Sequence, residues 1–152
     1  MSTLQTLRFF ATPEHDCSYL PKQRARTLFV DPQAEVDADI YAQLTDMGFR
    51  RSGSHIYRPH CLDCNACISV RIPAFEFKMS KSQKRIWNKN RDLQVETIAP
   101  KMTTEIYELY DRYIRERHSD GDMHPPSPAQ FSGFLVESNQ DTLFHLIRDA
   151  ES

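Results

Sequence analysis

The chain is 152 residues long, 39% hydrophobic and 26% charged, with a formal net charge of −2 and a sequence pI of about 6.3. That much apolar material supports one core of ordinary size, and the charge excludes a global attraction to nucleic acid, so any such binding must come from a local patch. No window nears the 18 or so uninterrupted apolar residues of a membrane span, and the N-terminus lacks the basic start and apolar run of a secretory signal. The expectation is a soluble cytoplasmic protein with no membrane partner, whose four cysteines sit in a reducing compartment where disulfides are disfavoured.

The N-terminal third reads as short strands and loops. Leu7–Phe10 and Thr27–Val30 are strand-like, the second stopped by Asp31-Pro32. Val36, Ile40, Leu44 and Met47 recur at helical spacing, with Gly48 placed to close the helix. Phe49–Arg51 and His55–Arg58 flank Ser52-Gly53-Ser54 and predict a hairpin. A cysteine cluster follows, and then Ile68–Ile72, whose β-branched residues predict a strand. Beyond Pro73 the pattern changes. Ser80–Asp92 predicts a helix burying Ile86, Trp87 and Leu93, and Leu93–Ile98 a strand. Thr103 opens a helix with apolar positions Ile106, Leu109, Tyr110, Tyr113 and Ile114. Ser127-Pro128-Ala129-Gln130 has the form of a capping box with proline in the first helical position, ahead of Phe131, Phe134 and Leu135 as a core face. Thr142–Ile147 reads as a final strand, leaving a βαβα-like run with a half-built sheet. A boundary is therefore expected near Pro73.

Three constellations carry candidate chemistry. Cys61, Cys64 and Cys67 recur every three residues, with Cys17 upstream. Together they form a four-thiolate set suited to zinc or an iron–sulfur cluster, or they are plain free thiols. Lys78–Arg91 holds six basic residues in fourteen positions with no acid. On a helix Lys81, Lys84, Arg85 and Lys89 share a side, with Arg91 just beyond, which suits phosphate contacts as well as a solvated face. Tyr110, Tyr113, Arg117 and His118 run down one helix and onto its exit. They either form a half-buried seam with a basic end that suits the helix dipole or line a polar cleft.

Taken in order, His15-Asp-Cys17-Ser-Tyr19-Leu, Tyr57-Arg-Pro-His-Cys61-Leu-Asp-Cys64-Asn-Ala-Cys67, Ser80-Lys-Ser82-Gln83-Lys84-Arg85 with Asn90, and Tyr110-x-x-Tyr113 with Arg117-His118 resemble the arginyl-tRNA–protein transferases, most closely their bacterial branch. The resemblance implies an α+β fold: a small cysteine-bearing N-terminal domain at 1–73, followed at 74–152 by the first part of a GNAT-like acyltransferase domain. Family members continue past residue 152, so a C-terminally truncated chain is expected.

The implied activity is transfer of leucine from leucyl-tRNA to proteins with N-terminal Asp or Glu, marking them for the degradation machinery. No cofactor is required for transfer, and zinc or an iron–sulfur cluster on Cys17, Cys61, Cys64 and Cys67 is the optional group. Lys81, Lys84, Arg85, Lys89 and Arg91 are assigned to the tRNA backbone. Tyr19, Arg24, Arg26, Arg71 and Arg117 are candidates for the acidic N-terminus, and His118 for deprotonating the attacking amine. The rival reading is a non-catalytic, metal-supported RNA-binding module. A GNAT-type small-molecule acetyltransferase fits less well, because no phosphate-cradling loop for coenzyme A is visible.

Overall fold

A computed structural model describes residues 4–121, 123–138 and 140–149. The fold mixes α and β, and the chain forms two compact units, one of Met1–Ser69 with Lys101–Asp141 and one of Val70–Pro100 with Thr142–Ser152. None of the helices among the described residues is long and apolar enough to cross a membrane.

The larger unit is built on an antiparallel sheet. Its strands are β1 (Phe9–Ala11), β4 (Thr27–Val30), β5 (Arg50–Ser52) and β6 (His55–Pro59), in the order β1-β4-β6-β5. Between β1 and β4 the chain makes a two-stranded excursion, β2 (His15–Asp16) paired with β3 (Arg24–Ala25). Helix α1 (Ala38–Asp46) starts where the Asp37 side chain accepts a hydrogen bond from the Ile40 amide, which satisfies an orphan donor of the first turn. It ends at Met47 and Gly48, the glycine at φ +83°, a left-handed closure that costs glycine no Cβ clash. Leu7, Val30, Val36, Ile40, Leu44, Phe49 and Ile56 form the core between helix and sheet, with Leu44 fully buried. The expected helical face is borne out except at Met47, which is 40% exposed because it caps the helix rather than facing inward.

The hairpin is as expected. Its turn at Gly53 is buried with φ +58°, and a Cβ there would run into the Gly133 carbonyl oxygen. Ile68–Ile72, by contrast, is not a strand: the segment is irregular, and Ile68, Val70 and Ile72 are 72–87% exposed. β-propensity alone does not make a strand where no edge is offered for pairing.

Helix α3 (Thr104–Arg117) begins at Thr103, whose hydroxyl accepts from the Ile106 amide. Only part of its expected face is covered. Tyr110 and Ile114 are buried, whereas Leu109 and Tyr113 are more than half exposed. Helix α4 (Pro128–Phe131) follows Ser127, which accepts from the Gln130 amide and runs into a π-helical turn over Ser132–Val136. The reciprocal half of the expected box is absent, because Gln130 Oε1 instead accepts the Tyr110 hydroxyl at 3.0 Å. Tyr107, Tyr110 and Phe131 pack edge to face and tilted, with centroids 5.1–6.2 Å apart. Phe131 is buried, but Phe134 is 36% exposed, as the π turn rotates it off the core side.

The smaller unit holds helix α2 (Lys81–Lys89) and an antiparallel ribbon of β7 (Gln94–Ile98) and β8 (Phe144–Arg148). The capping box at its start is complete. Ser80 accepts from the Gln83 amide and the Gln83 side chain accepts from the Ser80 amide. The expected burial of Ile86 and Trp87 is overturned, since they are 56% and 63% exposed; one helix and two strands supply too few layers to cover an apolar helix face.

Burial, and next the Tyr107 charge, push the Tyr110 phenol above its usual range. A phenol whose folded pKa is raised contributes stability that is full below about pH 10 and is lost as pH rises through the folded pKa. Thermal unfolding scanned from pH 8 to 11 is expected to show an alkaline loss of stability that Tyr110→Phe reduces. Gly53→Ala meets both the positive φ and the Gly133 backbone, and is expected to lower unfolding free energy by about 1–3 kcal/mol in a urea melt.

Candidate functional site

The β2–β3 excursion is closed by the Cys17 amide donating to the Gln23 carbonyl at 2.9 Å, and it turns at Lys22 with φ +61°. The Leu20 amide points back to Cys17 Sγ at 3.4 Å. This loop presents Cys17 on its inner side and leaves Tyr19 72% exposed. Past β6 the ladder runs one residue further, the His60 amide donating to the Arg26 carbonyl at 2.7 Å. Cys61 Sγ then lies 3.9 Å from the same carbonyl. The chain next turns beneath α1's end, where Ser69 Oγ donates to the Gly48 carbonyl at 3.1 Å.

These links put Cys17, Cys61, Cys64 and Cys67 on the wall of one cavity of about 380 Å³ in the larger unit. All four are free thiols. Their donor chemistry suits a soft cation, but no three His, Cys, Asp or Glu side chains among the described residues form a group placed to hold an ion.

The same cavity is lined by Tyr19, Gln23, Arg24 and Arg50, and no acidic residue belongs to its lining. Of the five residues expected to read an acidic N-terminus, the structure brings together Tyr19 and Arg24. Arg26 is half-buried and offers its carbonyl to the cysteine segment. Arg117 is exposed at the end of α3, and Arg71 belongs to the smaller unit. Neither lines the cavity. Arg24 is already committed: one Nη pairs with Asp16 and the other donates to the Glu14 carbonyl at 2.8 Å. Arg50 was not singled out in the sequence. Strand alternation could have found it, since Phe49 is buried and the next residue must face the other way.

His118 caps the C-terminus of α3, its amide bonded to the Ile114 carbonyl. Its Nε2 lies 3.0 Å from the Tyr113 hydroxyl, and the two rings stand edge to face at 5.0 Å. The pair is exposed. Asp111 and Arg115, one turn apart on the same helix, form a bidentate pair at 2.7 and 3.1 Å, which holds the Asp111 carboxyl below its usual range.

Lys81, Lys84, Arg85 and Lys89 are all exposed on α2, with Arg91 just past it. None of the five forms an ion pair among the described residues. Beside them, Phe77, Met79, Ile86, Trp87, Val95 and Ile147 line an open apolar hollow of about 710 Å³ within the smaller unit.

Residues 15–85 match the family model described as "Arginine-tRNA-protein transferase, N terminus". That span contains both the cysteine cavity's residues and the start of the basic helix. The match marks the chain as similar to the aminoacyl-tRNA–protein transferases. Among its relatives, an aspartate/glutamate leucyltransferase of Marinobacter nauticus is 54% identical over 95% of this chain and 61% of its own length. Proteins of the same name from Pseudomonas fluorescens strain Pf0-1 and Hahella chejuensis are 51% and 52% identical, over 97% and 95% of this chain and 63% and 62% of their own. The chain thus spans about three-fifths of the length of the curated relatives it matches.

The cap that starts the basic helix is separable from its charges. Ser80→Ala removes the side-chain acceptor and is expected to cost about 1 kcal/mol, read as a loss of helical circular dichroism at low urea, with no change in charge.

Proposed function

We propose that the chain acts as an aspartate/glutamate leucyltransferase, moving leucine from leucyl-tRNA onto the N-terminus of proteins that begin with Asp or Glu. The observation that supports this most is identity above one half, across nearly the whole chain, to relatives bearing that name. The acid-free, arginine-lined cavity suits an anionic acceptor. In this reading 1–73 is a cysteine-bearing N-terminal domain, and 74–152 belongs to a GNAT-like acyltransferase domain. The protein works in the cytoplasm, and its products pass to the degradation machinery.

The reaction is ester aminolysis. The acceptor's neutral α-amine attacks the carbonyl that joins leucine to the terminal ribose. A C–N bond forms, the carbonyl becomes a tetrahedral oxyanion, and its collapse breaks the C–O bond; the ribose hydroxyl leaves carrying a proton that the amine has lost. An α-amine with a pKa near roughly 8 is partly neutral at cell pH, and the ester is already activated, so positioning and oxyanion stabilisation supply most of the acceleration. His118, held by Tyr113, is assigned to take the amine's proton. Lys81, Lys84, Arg85, Lys89 and Arg91 contact tRNA phosphates, their freedom from ion pairs leaving them available. Tyr19 and Arg24 line the cavity assigned to the acidic acceptor, with Arg26, Arg71 and Arg117 as the remaining candidates.

Transfer itself needs no cofactor. Zinc or an iron–sulfur cluster on Cys17, Cys61, Cys64 and Cys67 would tie the β2–β3 loop to the segment after β6. Elemental analysis of the parent beside Cys64→Ser decides this part: metal in the parent alone would support it, and four titratable thiols with no metal would contradict it.

The direct test offers labelled leucyl-tRNA and arginyl-tRNA separately, with peptides beginning Asp, Glu or Lys. Leucine is expected on the acidic peptides alone, and His118→Ala should slow it at least tenfold. Binding of tRNA indifferent to its charging, with no transfer at any length of the protein, would support a non-catalytic RNA-binding module instead. If four of these five basic residues touch phosphates on single-stranded RNA, log affinity should fall against log salt with a slope near roughly −3. Lys84→Ala should bring the slope up by about 0.7.

A further inference from the structure

We propose that Arg50 is the residue that reads the acidic side chain of the acceptor, with Arg24 acting as the wall beside it. The proposal rests on the transferase reading and names the specificity element within it. Two arginines line the cavity and no acid does. Arg24 is spent on local structure, with its guanidinium shared between the Asp16 carboxylate and the Glu14 carbonyl. An arginine so paired offers an incoming carboxylate little net charge. Arg50 has no ion-pair partner among the described residues. Its guanidinium carbon stands 5.8 Å from the centroid of the Tyr57 ring, its cross-strand neighbour in the β5–β6 register. Stacking on an aromatic face orients the planar fork without using its N–H donors.

The position is also rigid. Phe49, one residue earlier, is buried 5.6 Å from the Phe9 ring, and Gly48 anchors Ser69 on the cavity's far side. Arg50 therefore opens its strand directly after two anchored residues. The cysteines that share the cavity wall are weak donors and acceptors, so the arginine is the strongest partner a carboxylate meets there. A neutral Asn or Gln side chain forms no charge-assisted pair with the exposed Arg50 guanidinium, and so gains less from it than a carboxylate does. Tyr19 and Gln23 on the rim are placed to hydrogen-bond the acceptor's backbone.

The test uses the full chain and fluorescent peptides that differ only in beginning with Asp, Asn or Lys. Anisotropy titrations are run on the parent protein and on Arg50→Gln, Arg50→Lys, Arg50→Glu and Arg24→Gln, with thermal unfolding to check that each is folded. The parent is expected to prefer Asp over Asn at least tenfold. Arg50→Gln should erase the preference and Arg50→Lys restore part of it. Arg50→Glu should turn the preference towards Lys, a reversal that a merely structural role would not produce. An Asp preference retained in Arg50→Gln, or absent from the parent, overturns the proposal. Leucine transfer measured on the same samples separates the two readings. Transfer with unaltered discrimination in Arg50→Gln sinks only the role of Arg50. Arg50-dependent binding without transfer, at any length of the protein, sinks the transferase reading and leaves the carboxylate pocket standing.

Discussion

The register between β4 and β6 is the constraint on which the rest depends. Thr27 faces Pro59 and Phe29 faces Tyr57, and the ladder then gains one more bond, from the His60 amide to the Arg26 carbonyl. That last bond delivers Cys61 to the same carbonyl and directs the following thiols towards the β2–β3 loop. Because side chains alternate along a strand, a one-residue slip would turn Ile56 out of the core and move the cysteine segment away from Cys17. The core and the cavity are thus set by one pairing. Its energy comes from the apolar cluster around Leu44, and its position decides which polar groups meet.

Arg50 depends on the same pairing at one remove. The β5–β6 hairpin places it opposite Tyr57, and Tyr57 also touches Phe29, with ring centroids 5.7 Å apart. An aromatic ladder therefore runs across three strands and ends at the guanidinium. Gly53, packed against Gly133, holds the far end of the hairpin. Specificity for an acidic group, on this account, is built on a sheet strand rather than on a loop, and regular elements are where precise positioning is best supplied.

Much of the fold was legible because local chemistry and tertiary packing agree. Thr27–Val30 is bounded by a turn dipeptide, Ser80 and Gln83 cap each other within one turn, and Gly48 closes α1. The misses share a cause: the sequence shows what a segment prefers but not what is there to pair with it. Ile68–Ile72 has strand composition and no partner strand. Ile86 and Trp87 have core composition and too few layers over them. Gln130 has the right spacing for a reciprocal cap and a better partner in Tyr110. At the site, the cysteine gathering was readable from the spacing of Cys61, Cys64 and Cys67, with Cys17 as the fourth thiol that would complete a set of four. Arg50 was hidden because its role arises from a cross-strand neighbour and a cavity wall, neither of which has a local signature. Arg24 looked more promising only because its pairing with Asp16 is invisible until β2 meets β3.

The central claim is that the cavity between the β2–β3 loop and the cysteine segment receives an acidic N-terminus. The most direct measurement is an amide correlation spectrum of the labelled protein, titrated with a peptide beginning Asp. The account expects shifts confined to residues 17–24, 48–51 and 60–69, including the Arg50 side-chain signal, and absent with the peptide's N-terminal amine acetylated and its Asp replaced by Asn. Shifts centred on other residues, or a response indifferent to the acidic side chain, would contradict it.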